Sequence, residues 1–141
     1  MVCGGCLCGL VRYRIEGRLE LAEFCHCSMC RRAHGSAFSA NALASADSLK
    51  IEHGAEHISE YESSPGRRKC FCANCGSQLF IRRTSSPEVV VVALGTVDED
   101  PGIRPERHVF VDSKAPWHTI SDALPQFHVY PGYEPLSEES K

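Results

Sequence analysis

The chain has 141 residues, enough for one domain with a modest core, and its 43% apolar and 23% charged residues are globular proportions that exclude disorder and collagen-like repetition. Fifteen Lys and Arg against eighteen Asp and Glu leave a formal charge of −3, so no overall field draws the chain to nucleic acid or to an anionic membrane. The longest strictly apolar run, Val89 to Leu94, falls far short of the roughly 20 residues that cross a bilayer.

In chain order, Val11, Tyr13 and Ile15 alternate with Arg12 and Arg14, the period-two pattern of a half-buried strand. Leu19 to Cys27 reads as extended, Arg31 to Gly35 as a turn or a single helical turn, and Ala37 to Leu43 as another strand. Asp47-Ser48-Leu49 is a short capped turn, and Ile58 to Glu62 a strand stopped by Ser63-Ser64-Pro65-Gly66. Strands follow at Arg67 to Cys72 and Gln78 to Arg83. The valine-rich run Glu88 to Leu94 suits a strand buried on both faces, and His108 to Asp112 is short and β-prone. No segment holds a 3.6-residue apolar stripe over three turns, so the expected class is all-β with few short helical turns. The expected organisation is one zinc-binding domain over residues 1–134 and a frayed polar tail over 135–141.

The unusual feature is nine cysteines, all within the first 75 residues. Met1-Val2-Cys3-Gly4-Gly5-Cys6 carries neither the basic nor the apolar region of a signal peptide, so a reducing compartment, the cytoplasm, is expected. There, an odd and clustered set of thiols points to metal rather than to disulfides. Seven of the nine form three groups: Cys6-x-Cys8, Cys25-x-Cys27-x-x-Cys30, and Cys72-x-x-Cys75-Gly76. Zinc suits them, because it takes soft thiolates tetrahedrally.

Counting ligands divides the groups. The two pairs, Cys6 with Cys8 and Cys72 with Cys75, close one tetrahedral structural site. The triple Cys25, Cys27 and Cys30 holds a second ion with one corner vacant, the arrangement that admits water or substrate. Two alternatives stand beside this: a closed site completed by Cys3, Cys70 or a histidine, and a single zinc with spare thiols. Cys70 is expected to be a half-buried thiol and Cys3 to be uninvolved. His26 points away from the metal if its strand is regular, and is read as solvent-facing or bonded to backbone. His34 is the better candidate to touch substrate or a metal-bound side chain, with a solvent-facing or backbone-bonded histidine as its plainer reading too.

The strings Gly5-Cys6-Leu7-Cys8-Gly9-Leu10-Val11-x-Tyr13, Cys25-His26-Cys27-x-x-Cys30-Arg31 and Phe71-Cys72-x-x-Cys75-Gly76-x-x-Leu79 resemble the signatures of the glutathione-dependent formaldehyde-activating enzyme family, which includes centromere protein V. The later stretches His108 to Trp117 and Leu124-Pro125-Gln126-Phe127 are similar to it as well. The resemblance implies a β-tent fold of small antiparallel sheets with two zinc ions. It implies a structural ion on Cys6, Cys8, Cys72 and Cys75, and a catalytic one on Cys25, Cys27 and Cys30. The implied activity is a carbon–sulfur lyase reaction that joins glutathione to formaldehyde as an S-hydroxymethyl adduct.

For such a reaction the open metal either favours the thiolate, which is the nucleophile, or polarises the carbonyl. Three thiolates leave the site near −1, and Arg31 and Arg32 directly follow Cys30 to offset that charge. Glutathione carries two carboxylates, for which Arg31, Arg32 and Lys114 are the expected partners, with His34 beside them. Trp117, the sole tryptophan, is expected to pack in the core. The rival reading is a non-catalytic, zinc-stabilised interaction module, for which Arg67-Arg68-Lys69 would be the basic patch; the net negative charge speaks against a nucleic-acid partner.

Overall fold

A computed structural model describes residues 1–131 and contains ten strands, β1 to β10, and one α-helix. Strands β1 (Val2–Gly5), β2 (Arg12–Ile15) and β5 (Leu49–His53) form a three-stranded antiparallel sheet in the order β1-β2-β5. The other seven make the larger sheet. They are β3 (Glu20–Cys25), β4 (Ser39–Ser45), β6 (Ile58–Ser64), β7 (Arg67–Cys72), β8 (Gln78–Arg83), β9 (Val89–Ala93) and β10 (His108–Val109), in the order β10-β3-β4-β9-β8-β7-β6. Only β10 runs parallel to its neighbour β3; the rest are antiparallel. The all-β class expected of a β-tent is what the chain adopts, in two sheets with a few 3₁₀ turns. Among the described residues no helix is long and apolar enough to cross a membrane.

Period-two alternation sends each sheet's apolar side chains to one layer. Val11, just before β2, and Tyr13 and Ile15 of the small sheet are 0–1% exposed, and they pack on Ala22, Ala42, Cys70, Leu79, Phe80, Val90 and Val92. Tyr13 meets Phe80 edge-on at 4.9 Å between ring centroids. Its hydroxyl shares a 2.7 Å hydrogen bond with Thr96 Oγ1, which donates to the Ala93 carbonyl at 2.7 Å. The aromatic ring is thus buried with its polar end satisfied.

The opposite face of the large sheet carries the chemistry. Residues one position out of phase with that core, Glu23 and Cys25 on β3, Asn41 and Leu43 on β4, Val91 on β9 and Arg83 on β8, share it. Helix α1 (Ser28–His34) and the segment after β10 cover part of it. Val89–Ala93 is buried on both faces because core lies on one side and this second layer on the other.

Several expectations shift by a few residues. The helical turn expected from Arg31 begins at Ser28, since Cys27 caps it, and ends at Gly35 in left-handed conformation. Strands β1 and β5 were not anticipated. In β1 two glycines hide the alternation, and β5, Leu49–His53, has only one fully buried residue. The tail expected over 135–141 lies outside the described residues.

Candidate metal centres and the adjoining cleft

The first cysteine group is built from two tight knuckles. After β1, the Cys6 amide donates to the Val11 carbonyl at 3.1 Å, the Gly9 amide to the Cys6 carbonyl at 3.2 Å, and the Val11 amide to Cys6 Sγ at 3.3 Å. After β7, the Gly76 amide donates to the Cys72 carbonyl at 2.7 Å and the Cys72 amide to Ser77 at 3.0 Å. Both knuckles need a left-handed residue after the second cysteine, supplied by Gly9 and Gly76 at φ 83°. The Leu7 amide donates to Ser77 Oγ at 2.9 Å and clasps one knuckle to the other.

The Sγ atoms of Cys6, Cys8, Cys72 and Cys75 all lie within 4.8 Å of one another. Cys6 and Cys8 are 3.5 Å apart, and Cys8 and Cys72 3.8 Å. Thiolates at about 2.3 Å from a tetrahedral zinc stand roughly 3.8 Å apart, so the donor set and its spacing fit zinc. The Ser77 hydroxyl and amide hold the Cys75 thiol down to about 5, whereas burial pushes Cys72 up to about 11.

The second group is compact in sequence. Cys25 ends β3, Cys27 is the N-cap of α1, and Cys30 lies inside that helix. Cys27 Sγ accepts from the Cys30 amide at 3.3 Å, so a sulfur takes the role that Ser or Asp oxygen usually fills at this position. All three Sγ atoms fall within 4.8 Å of one another. Hydrogen bonds from Cys25 and Cys30 pull the Cys27 thiol well below its ordinary range, while those with Cys27 and Cys30, together with burial, push Cys25 well above it. Three sulfurs this close cannot all ionise without a cation among them, which is the property of a metal site. Among the described residues no fourth ligating side chain joins the trio.

His26 points to the other face, as a regular strand requires, but it is neither solvent-facing nor bonded to backbone. It is fully buried, with Nε2 at 2.8 Å from His108 Nδ1, and His108 Nε2 lies 3.0 Å from the Asp122 carboxylate. Burial, reinforced by His108, lowers its pKa to about 4. Cys70 is likewise 1% exposed rather than half-buried, because the side of β7 it shares with Cys72 faces the core. Cys3 lies half-buried in β1 and outside both groups.

Cys25 lines a cleft of about 540 Å³ on the second face of the large sheet. Leu43, Val91 and Val109 give it an apolar lining, Phe110 and Tyr130 close in beside the cysteines, and Arg67 and Arg83 also line it. Two of its lining residues, Leu21 at φ 51° and Phe110 at φ 57°, are the non-glycine residues held in left-handed conformation among the described residues. Such backbone costs on the order of 1–3 kcal/mol and gathers at functional sites.

Arg31, Arg32, His34 and Lys114 do not line this cleft. Arg31 Nε donates to the Ser113 carbonyl at 3.1 Å, and Lys114 Nζ bonds the carbonyls of Ala115 and His118, so both fasten the segment after β10. Arg32 lines a separate hollow with Met29 and Tyr61, and His34 a small one with Lys69. Trp117 is 70% exposed and not in the core. The basic run splits by strand alternation: Arg67 faces the cleft, Arg68 pairs with Glu60 at 3.4 Å, and Lys69 is only 5% exposed. Lys69 acts electrostatically on Cys27 from beneath α1. In the sequence it counts only as part of the basic patch of the rival interaction-module reading. The signal available was its place in the β7 alternation, which puts Lys69 on the face opposite Cys70 and Cys72.

The sequence model of the glutathione-dependent formaldehyde-activating enzyme family matches residues 1–113, which include all seven clustered cysteines. The chain belongs to that family. A Halomonas elongata protein, provisionally named as a glutathione-dependent formaldehyde-activating enzyme, is 35% identical over 139 residues, covering 92% of this chain and 87% of that one. An uncharacterised lyase of Schizosaccharomyces pombe is 24% identical over 126 residues, covering 89% of this chain and 90% of that one. A crystal structure of a Rhodobacter sphaeroides protein superposes with a TM-score of 0.58 at 30% identity, covering 73% of this chain and 91% of that one. Within the matched range the pairs at Cys6 and Cys72 and the triple at Cys25 come together as two separate groups.

Proposed function

We propose that the protein is a carbon–sulfur lyase-type enzyme that joins a thiol to a small aldehyde, with glutathione and formaldehyde as the pair and zinc as the metal in both cysteine groups. Family membership and the names of the relatives support this reading. The observation that carries it is the asymmetry of the two groups: four thiols gathered at one and three at the other, with Cys25 of the three lining a cleft. In this reading Cys6, Cys8, Cys72 and Cys75 hold a structural ion, while Cys25, Cys27 and Cys30 hold the reactive one.

A metal ion at the three-cysteine group supplies Lewis acidity and favours the ionised form of a neighbouring thiol. In the reaction a bond forms between sulfur and the carbonyl carbon, the carbonyl π bond breaks, and the thiol proton ends on the former carbonyl oxygen. The chain's own residues set the conditions. Lys69, nearly buried, offsets the net negative charge of three thiolates. Phe110 and Tyr130 narrow the cleft beside the cysteines and exclude water. Arg31 and Lys114 fasten the segment after β10, and Arg32 and His34 add positive or polar character on α1. All nine thiols are free, in keeping with a reducing compartment such as the cytoplasm.

The test is exchange spectroscopy by NMR on glutathione and formaldehyde with the zinc-loaded full chain. The expected result is S-hydroxymethyl adduct formation faster than the uncatalysed background, abolished in Cys27→Ser while the fold and the four-cysteine metal persist. Absence of acceleration by protein carrying two zinc ions would leave the interaction-module reading in its place.

A further inference from the structure

The cleft that reaches Cys25 is also lined by two arginines. Arg67 and Arg83 are direct cross-strand partners on β7 and β8. Like charges placed opposite one another on neighbouring strands repel and destabilise the pairing unless an anion lies between them. Glu23, the acid lining the same cleft, is already engaged: Arg107 Nε donates to its Oε2 at 2.8 Å, with the two side chains 19% and 14% exposed. The neighbouring Arg68 has its own acid in Glu60, but among the described residues neither Arg67 nor Arg83 has a carboxylate within ion-pair distance. Leu43 and Val91 supply apolar lining to the same cleft, which is therefore polarised, with thiol chemistry in one part and uncompensated positive charge in another.

We infer that Arg67 and Arg83 bind a substrate carboxylate, so that the cleft prefers carboxylate-bearing ligands to neutral ones. Guanidinium groups are permanently charged and present paired donors that match a carboxylate's two oxygens. Arg83 and Arg67 lie three and four strands away from Cys25 in the large sheet, about 14–19 Å across at ordinary strand spacing, so the carboxylate contact is made in the part of the cleft remote from the cysteines. A neutral alkyl thiol would meet only the apolar lining and have no fixed register. That the ligand is the substrate rests on the function proposed above, whereas the carboxylate contact stands on the two arginines alone.

The probe is S-methylglutathione, which keeps both carboxylates but has no ionisable thiol, compared with its diethyl ester, which has none. Calorimetric titration of the zinc-loaded full chain is expected to show the acid bound at least about tenfold more tightly than the diester. That preference should shrink below about threefold in Arg67→Met and in Arg83→Met, and be partly restored in Arg83→Lys, which keeps the charge without the fork. Equal binding of acid and diester by the unmodified protein, or an undiminished preference in both methionine variants, would overturn the assignment. Should either variant fail to fold, the acid-to-diester ratio of the unmodified protein and its decline with salt decide the matter. Because the probe cannot react, a failed condensation assay leaves this result standing. Normal condensation with no preference for the acid would remove the arginines alone.

Discussion

Replacing Cys75 by serine removes one of four ligands from the group that joins the knuckle after β1 to the knuckle after β7. Cys8 and Cys72 in that group are 64 residues apart. Treated as a cross-link, closing a loop of that length is worth about 4 kcal/mol at room temperature, by the chain-entropy relation that applies to disulfides and metal clips alike. Against the roughly 5–15 kcal/mol by which a domain is stable, that is a large fraction. For a chain of this size it lowers the melting temperature by roughly 10–15 °C. Cys27→Ser is the control, since Cys25, Cys27 and Cys30 span six consecutive positions already ordered by the end of β3 and the cap of α1. Tying them together removes little chain entropy, and the expected fall is under about 4 °C. Thermal unfolding followed by circular dichroism, with zinc in slight excess and again with chelator, measures both. Equal losses in the two variants, or no loss in Cys75→Ser, would refute the division into a structural and a reactive group.

Two further outcomes follow from single side chains. Lys69→Met removes the nearly buried ammonium beside Cys27, so zinc at the three-cysteine group should pass to a competing chelator at about tenfold lower concentration. The melting temperature should not fall, because the methionine needs no ion partner in that position; retention of both ions as in the unmodified protein would dismiss the charge-balancing role. Tyr13→Phe deletes the hydroxyl shared with Thr96 and should cost about 1 kcal/mol, a drop of roughly 2–4 °C in melting temperature with unchanged metal content. Loss of metal in that variant would show that the core and the four-cysteine group are less independent than described.

The grouping of the cysteines was the most legible part of the sequence, because thiols at knuckle spacing are a local signal and the two knuckles need only glycines at positions 9 and 76 to form. Strands with clean alternation, such as Arg12–Ile15, or with continuous valine, such as Val89–Ala93, were legible for the same reason. The cleft was not. Arg67 and Arg83 are 16 positions apart in the chain and become partners only through the register of β7 on β8. Reading charge by proximity to Cys30 favoured Arg31 and Arg32, whereas α1 and the segment after β10 turn those residues toward backbone carbonyls or a different hollow. The same limit applies to His26, whose partners His108 and Asp122 arrive from the far end of the chain. Trp117 gave no signal of its exposure, since a lone aromatic ordinarily indicates a core.

The most direct test is zinc K-edge X-ray absorption on the purified full chain, combined with metal quantification. Seven thiolates shared by two ions predict two zinc per chain and an average of 3.5 sulfurs per zinc, the remainder being one lighter oxygen or nitrogen ligand at the three-cysteine group. Four sulfurs per zinc, or a single ion per chain, would contradict an open reactive centre and with it the enzymatic account.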